Sequence, residues 1–353
     1  MEDLSVYGFT AFRLAGFDAG EGRVVARVTS VHKDRFGVVS ASGHGFARLR
    51  RVAFEGGESR PTVGDFVALF PNALGDGRID SVFARASSFG RREPGPIPRE
   101  QAIAANFDFV CVLTSLNLEF RMNRLERYLS VALKSGGEPI IVLTKSDLAA
   151  EGDHTARSVA DRFAGIRIVS LSAKTGEGVG EFCDSIPKGS TLAFLGSSGV
   201  GKSSLLNALA GEELMAVREI SEEGARGGHT TTHRELIALP CGFCVVDTPG
   251  MREMGLWGVE EGVELAFDGF GELVSMCRFA DCTHGSEPGC AVREAIERGD
   301  IDEDAIRRYA ALKREARREK RLAAIKEHAR RAGAIHVKKL ARRIPPSSDE
   351  SDG

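Results

Sequence analysis

Gly196-Ser197-Ser198-Gly199-Val200-Gly201-Lys202-Ser203, followed by Ser204, stands directly after the apolar run Thr191–Leu195 and opens the helical stretch Lys202–Ala210. Glycines at this spacing let backbone N–H groups converge on phosphate oxygens. Lys202 adds a point charge for the β- and γ-phosphates, and Ser203 a hydroxyl for Mg²⁺. A strand, a glycine loop and a helix in that order predict a doubly wound α/β domain around them.

The order of the neighbouring motifs sharpens this reading. Thr144-Lys145-Ser146-Asp147 and Ser172-Ala173-Lys174-Thr175-Gly176 both lie upstream of the loop, and Asp247-Thr248-Pro249-Gly250 lies downstream. Asp147 can accept hydrogen bonds from N1 and N2 of guanine, a pairing adenine cannot offer, so a purine lacking those donors would leave a buried carboxylate unpaired. Lys145 would lie along the ring, and the Ala173 N–H would meet guanine O6. Position 144 is Thr where GTPases more often carry Asn, which removes one side-chain amide near the base. Asp247 is expected to hold magnesium and the Gly250 N–H to sense the γ-phosphate. An ordinary GTPase reads phosphate loop, magnesium motifs, then guanine motifs. Here the guanine pair comes first, so the set is complete but circularly permuted. The expected ligands are GTP or GDP with Mg²⁺, held by residues 144–147, Ser172, Ala173, Lys174, residues 196–204, Asp247 and Gly250.

Between the loop and Asp247 runs Gly224-Ala225-Arg226-Gly227-Gly228-His229-Thr230-Thr231-Thr232-His233. Thr231 is expected to complete the magnesium shell beside Ser203 and Asp247. Met251 follows the Asp-Thr-Pro-Gly segment, and an apolar side chain cannot orient a water. His229 is the local substitute, so the catalytic set is His229, Lys202 and Thr231, with slow intrinsic hydrolysis accelerated by a partner.

Flanking regions have different character. Residues 1–20 form an N-terminal extension. Residues 21–90 read as short strands between glycine turns, clearest at Arg23–Val28, Phe36–Val39, Gly45–Leu49 and Asp65–Leu69, which suggests a small five-stranded barrel of a kind that often binds oligonucleotides. Residues 91–99, with three prolines and a glycine, read as a linker. The α/β domain spans 100–255, with buried strands expected at Phe107–Leu113, Pro139–Leu143, Ile166–Ser170 and Phe243–Val246. Residues 256–343 read as a helical domain, and 344–353 as a disordered tail.

Within the helical domain, Cys277, Cys282, His284 and Cys290 supply three thiolates and an imidazole in fourteen residues, a closed set that suits structural tetrahedral zinc. Cys241-Gly242-Phe243-Cys244 has no partner pair in the sequence and reads as turn and strand packing. Seven cysteines, an odd number with three crowded beside a histidine, fit a reducing cytoplasm and a metal. The net charge of −3 hides a basic block: Arg307 to Arg343 holds 15 Lys/Arg against 3 acids. Arg307, Arg308, Arg314, Arg317, Arg318, Lys320, Arg321 and Lys326 spread round more than one helical face, the pattern of an element that grips a nucleic-acid backbone. No apolar stretch is long enough to span a membrane, and Met1-Glu2-Asp3-Leu4 is no secretory signal, so a cytoplasmic protein is expected; a monomer is the expected state.

The permuted motif order, the segment Gly227–Thr232 and the Cys277/Cys282/His284/Cys290 spacing together resemble the bacterial ribosome small-subunit-dependent GTPase A (RsgA, also called YjeQ) family over roughly residues 20–340. That resemblance implies an N-terminal OB-fold, a central circularly permuted GTPase domain and a C-terminal zinc domain. It also implies binding to the 30S subunit and its 16S rRNA late in maturation, GTP hydrolysis stimulated by that subunit, and release afterwards. In the family the switch histidine is assigned to hydrolysis, and His229 is the matching position. Gly228 stands where the family usually carries Arg. The competing readings are a non-catalytic RNA-binding adaptor that senses GTP, and a metal-delivery GTPase; the closed Cys₃His set opposes the second.

Overall fold

The computed structural model describes residues 4–32, 34–50, 60–92, 100–117, 120–149, 154–214, 235–247, 260–267, 269–279, 282–284 and 287–341. Strands β1 (Val24–Val31), β2 (Phe36–Ser40) and β3 (Gly43–Leu49) form an antiparallel meander, bulged in β1 between Val28 and Ser30. Strand β4 (Phe66–Phe70) pairs with β1 and with β5 (Gly77–Val82), and β5 runs parallel to β3, which closes a five-stranded barrel in the order β1-β2-β3-β5-β4. Alternate residues fill it: Ala26, Val28, Phe36, Val38, Ala47, Val67, Leu69 and Ile79 form one buried cluster. The period-2 pattern dictates this, since each inward residue is apolar while Arg78 and Asp80 flank Ile79.

Residues 91 and 92 depart from the linker reading. They end β6 (Ser88–Arg92), which pairs antiparallel with β7 (Glu100–Ala105), Arg91 opposite Gln101 and Arg92 opposite Glu100. The prolines fall in 93–99, outside the described residues.

The central sheet is built from β8 (Phe109–Ser115), β9 (Glu138–Thr144), β10 (Arg167–Ser170), β11 (Thr191–Leu195), β12 (Glu235–Ala238) and β13 (Cys244–Asp247), in the order β10-β9-β8-β11-β13-β12. All neighbours are parallel except β12, which runs antiparallel to β13. Helices are interleaved: α1 (Ala11–Leu14) precedes the barrel, while α2 (Met122–Lys134), α3 (Thr155–Arg162), α4 (Val179–Ser185) and α5 (Lys202–Ala210) cross over the sheet. Two apolar layers result. Leu125 and Leu129 of α2 share a cluster with Val110, Val112 and Ile141. Phe182, Leu205, Leu206 and Leu209 of α4 and α5 share another with Cys111, Leu113, Ile140 and Phe194. Strands buried on both faces are why these segments read as unbroken apolar runs.

The helical region comprises α6 (Glu260–Ala266), α7 (Phe270–Ser275), α8 (Ala291–Arg298) and α9 (Glu303–Ala341). It docks on α2 through a buried carboxylate. Glu126, fully buried, accepts from Arg308 of α9 at 3.0 and 3.2 Å and lies 3.4 Å from Arg162. Arg308, grouped by its sequence with the nucleic-acid-facing cations, is therefore engaged inside the molecule. The same holds for Lys313, which bonds Glu264 of α6 and the Tyr309 hydroxyl.

Residues 4–17, an extension by composition, pack against both barrel and sheet, with Tyr7 and Gly8 buried. Arg27, fully buried, donates to the carbonyls of Tyr7 (2.6 Å), Asn106 (2.9 Å) and Gly64 (3.2 Å). Burial lowers its pKa to about 10, which still leaves it charged at neutral pH. Arg13 pairs with Asp108, whose other oxygen accepts from the Thr191 N–H at 2.7 Å. The Cys244 thiol donates to the Val6 carbonyl at 3.1 Å. Gly64, at φ +89°, lets the barrel meet β7: a Cβ there would stand 2.0 Å from the Ala105 carbonyl oxygen. Barrel and sheet also touch directly, Ser30 of β1 facing Glu235 of β12.

Candidate nucleotide site and metal centre

At the carboxyl ends of the parallel strands three segments converge, as expected for ligand sites in open α/β sheets. The loop after β11 begins with Gly196, where a Cβ would meet the Leu113 carbonyl oxygen at 2.7 Å. Gly199 and Gly201 both take positive φ, +71° and +101°, the left-handed region glycine enters without penalty. Lys202 opens α5, and its Nζ donates back to the Gly196 carbonyl at 2.7 Å and to that of Ser197. The ammonium is thus held over the loop whose N–H groups it would assist. Ser203 and Ser204 are half-buried in the first turn of α5.

The Thr144-Lys145-Ser146-Asp147 segment leaves the end of β9. Lys145 adopts a left-handed conformation at φ +57° and turns the chain into a short 3₁₀ turn, Ser146–Leu148. Thr144, 3% exposed, donates its hydroxyl to the Val200 carbonyl at 2.6 Å. That bond ties the end of β9 to the glycine loop. By sequence Thr144 marks the loss of an amide; in the fold its hydroxyl is a strut between the Thr144–Asp147 segment and the glycine loop.

Ser172, fully buried after β10, plays a similar part. Its hydroxyl donates to Asp147 Oδ1 at 2.6 Å and accepts from the Thr175 N–H at 3.2 Å. The exposed carboxylate of Asp147 is aimed by this bond. The Ser146 N–H reaches the Leu171 carbonyl at 3.3 Å, so two loops from adjacent strands are cross-braced. Ala173 is half-buried and Lys174 exposed on the same rim.

Strand β13 runs parallel to β11 with Val246 opposite Ala193, which carries the Asp247 backbone to the same end of the sheet as Gly196. The Asp247 side chain, Gly250 and Met251 lie outside the described residues, as does the whole segment Gly224–His233 with His229 and Thr231.

The four metal-type residues come together. Cys277, Cys282, His284 and Cys290 place their ligand atoms within 4.8 Å of one another. Cys277 Sγ lies 3.9 Å from Cys290 Sγ, and His284 Nδ1 lies 3.6 Å and 3.5 Å from those two sulfurs. Tetrahedral zinc with Zn–S of ~2.3 Å and Zn–N of ~2.0–2.1 Å requires sulfur–sulfur edges of about 3.8 Å and sulfur–nitrogen edges of about 3.6 Å. The donor set fits that ion, with Nδ1 as the imidazole ligand. His284 holds φ +63°, a conformation costly for a non-glycine residue and typical of constrained sites. Cys290 caps α8, its sulfur accepting from the Arg293 N–H at 3.5 Å. Burial pushes the Cys282 thiol up to about 11, so a metal must displace a proton there.

The sequence profile of the RsgA GTPase family matches residues 82–257. A Lactiplantibacillus plantarum protein named small ribosomal subunit biogenesis GTPase RsgA 2 is 39% identical over 318 residues, covering 89% of each chain. An Opitutus terrae protein named small ribosomal subunit biogenesis GTPase RsgA is 40% identical over 327 residues, 88% of this chain and 89% of its own. Among solved structures, YjeQ from Thermotoga maritima aligns with a TM-score of 0.63 at 31% identity, covering 83% of this chain and 98% of that one. YloQ, described as a circularly permuted GTPase, aligns with a TM-score of 0.61 at 25% identity, covering 84% and 96%.

Proposed function

This chain belongs to the RsgA GTPase family, and from that footing we propose that it is a GTPase of small ribosomal subunit biogenesis, hydrolysing GTP to GDP and phosphate when it engages the 30S subunit. The observation that carries the reading is the strut from Thr144 to the Val200 carbonyl, which makes one site of the guanine and phosphate segments.

Within it, Asp147 reads the guanine edge with Lys145 and Ser146 beside it, while Ser172, Ala173 and Lys174 close the base side. Residues 196–204 cradle the phosphates, and Lys202 neutralises charge that grows toward the leaving oxygen. Ser203, Thr231 and Asp247 are the magnesium ligands, an all-oxygen set that suits the ion. Gly250 reports the γ-phosphate, and His229 holds the attacking water in line. The zinc is structural: it fixes the fold of a segment with few apolar residues of its own. The domains run 21–90, 100–255 and 256–343, with 16S rRNA as the polyanion met by the barrel and the basic helix. Support for the barrel's part comes from Phe46, 43% exposed, with the Arg35 guanidinium stacked 3.7 Å from its ring centre. The protein acts as a cytoplasmic monomer.

Hydrolysis by the purified chain, alone and with 30S, 50S or 70S particles, tests this. Stimulation specific to 30S, abolished by Lys202→Ala, is the expected result. GTP binding without turnover under any condition would replace the enzyme with a nucleotide-sensing adaptor.

A further inference from the structure

Cys183 and Cys241 meet on the α4 side of the sheet, away from the metal set, although 58 residues separate them in sequence. Their Sγ atoms stand 2.7 Å apart, and both residues are partly open to solvent. Cys183 belongs to α4, the helix that follows the Ser172–Gly176 segment. Cys241 sits in the turn between β12 and β13, six residues before Asp247, and its sulfur also reaches the Leu209 carbonyl at the end of α5 at 3.4 Å.

The spacing discriminates between the two things a thiol pair can do. A shared zinc keeps sulfurs about 3.8 Å apart, as Cys277 and Cys290 are at 3.9 Å. The Cys183–Cys241 pair is far too close for an ion between them, and among the described residues no third metal donor joins it. A small further approach makes a covalent bond.

We propose that Cys183 and Cys241 form a reversible disulfide when the protein meets a peroxide. The thiolate of Cys241 attacks one peroxide oxygen, so that an S–O bond forms, the O–O bond breaks and one oxygen leaves as hydroxide. Cys183 then displaces the oxygen from the sulfenic acid: the S–S bond forms, the S–O bond breaks, and the departing hydroxide takes the Cys183 proton as water. Overall two thiols lose two electrons and two protons, and one hydrogen peroxide becomes two waters. Burial, with Cys241 alongside, pushes the Cys183 thiol up to about 12, and the same disulfide forms whichever sulfur meets the peroxide first. Once formed, the bond staples the C-terminal end of α4 to the β12–β13 turn beside the end of α5, at the end of the sheet opposite residues 196–204. A thiol reductant reverses it.

The test uses the full-length, zinc-loaded chain exposed to hydrogen peroxide, alkylated, and digested with trypsin without reduction. A cross-linked peptide joining Thr175–Lys188 to Glu235–Arg252 is expected, about 2 Da lighter than the two thiol peptides together and absent after dithiothreitol. Fragment ions must place the bond on Cys241 rather than on the buried Cys244. Cys183→Ser should instead trap Cys241 as a sulfenic or sulfinic acid, and that trapping is a signature simple misfolding does not produce. If Cys183 and Cys241 both remain alkylatable while peroxide oxidises Cys277, Cys282 or Cys290, the proposal is wrong. Over-oxidised Cys241 in the wild-type chain, with no cross-link, overturns it equally.

Discussion

Replacing Thr144 by Val removes one oxygen from a side chain of nearly unchanged shape. The hydroxyl bond to Val200 is 2.6 Å long, and Thr144 is 3% exposed. Water therefore cannot reach the carbonyl left behind. A buried hydrogen bond lost with its acceptor stranded costs about 1–2 kcal/mol. If that bond aligns the glycine loop with the base-reading turn, the cost falls on nucleotide binding, and at 1.4 kcal/mol per decade the affinity drops about 5- to 30-fold. Thr144→Ser keeps the donor and should bind within about threefold of wild type, since only a methyl is lost. Titration of a fluorescent GDP analogue in excess Mg²⁺ reads the difference, and calorimetric melting of the same proteins reads stability. Refutation would be a Thr144→Val chain that melts lower yet binds GDP within about twofold of wild type: the strut would then hold the fold and not the site.

Other expectations follow from the same geometry. Arg27→Met should destabilise the protein by about 3–5 kcal/mol, because three carbonyls lose their donor at once; the midpoint of urea unfolding checks it. Metal analysis of the purified chain should return one zinc, lost on Cys282→Ser, and retention should weaken as pH falls because each thiol must give up a proton; a chain that keeps its melting temperature after stripping would contradict a structural role. On the barrel rim, Asp76 is bonded by Arg35 and Arg48, and Asp80 by Arg50 and Arg23, so both titrate below 3.8. Their stabilisation is therefore complete above that pH and lost as pH falls through the lowered values, which carboxyl NMR titration will show. Finally, a flexible linker inserted after Met254 should preserve basal hydrolysis and erase stimulation by 30S particles if the segment following Asp247 transmits nucleotide state to the helical domain; undiminished stimulation would exclude that route.

Much of this architecture is legible in the sequence because strand β11 and helix α5 carry their whole signal locally: an apolar run, a glycine loop, and a helix ending at Gly211. The barrel was read from four strands. The fifth, Gly77–Val82, escaped because Arg78 and Asp80 face outward and leave Ile79 as its main apolar residue. Strands β6 and β7 escaped because Pro94, Pro96 and Pro98 dominate the composition between them, although ladder partners lie on either side. The Cys₃His set was visible as spacing alone. Hidden were contacts made at long range through single atoms: Glu126 with Arg308, Cys183 with Cys241, and the Ser172 hydroxyl that aims Asp147. No periodicity reports a bond between two residues from unrelated elements.

The placement of residues 4–17 sets a timetable for synthesis. Val6 meets Cys244, 238 positions later, and Arg13 meets Asp108. Translation at ~5–20 residues per second separates the first of those partners by roughly 12–48 seconds. The barrel strands, by contrast, span only residues 24–82 and are made in about 3–12 seconds at that rate. Residues 4–17 thus wait for the synthesis of the central sheet before their partners exist, and their docking then ties the barrel to that sheet.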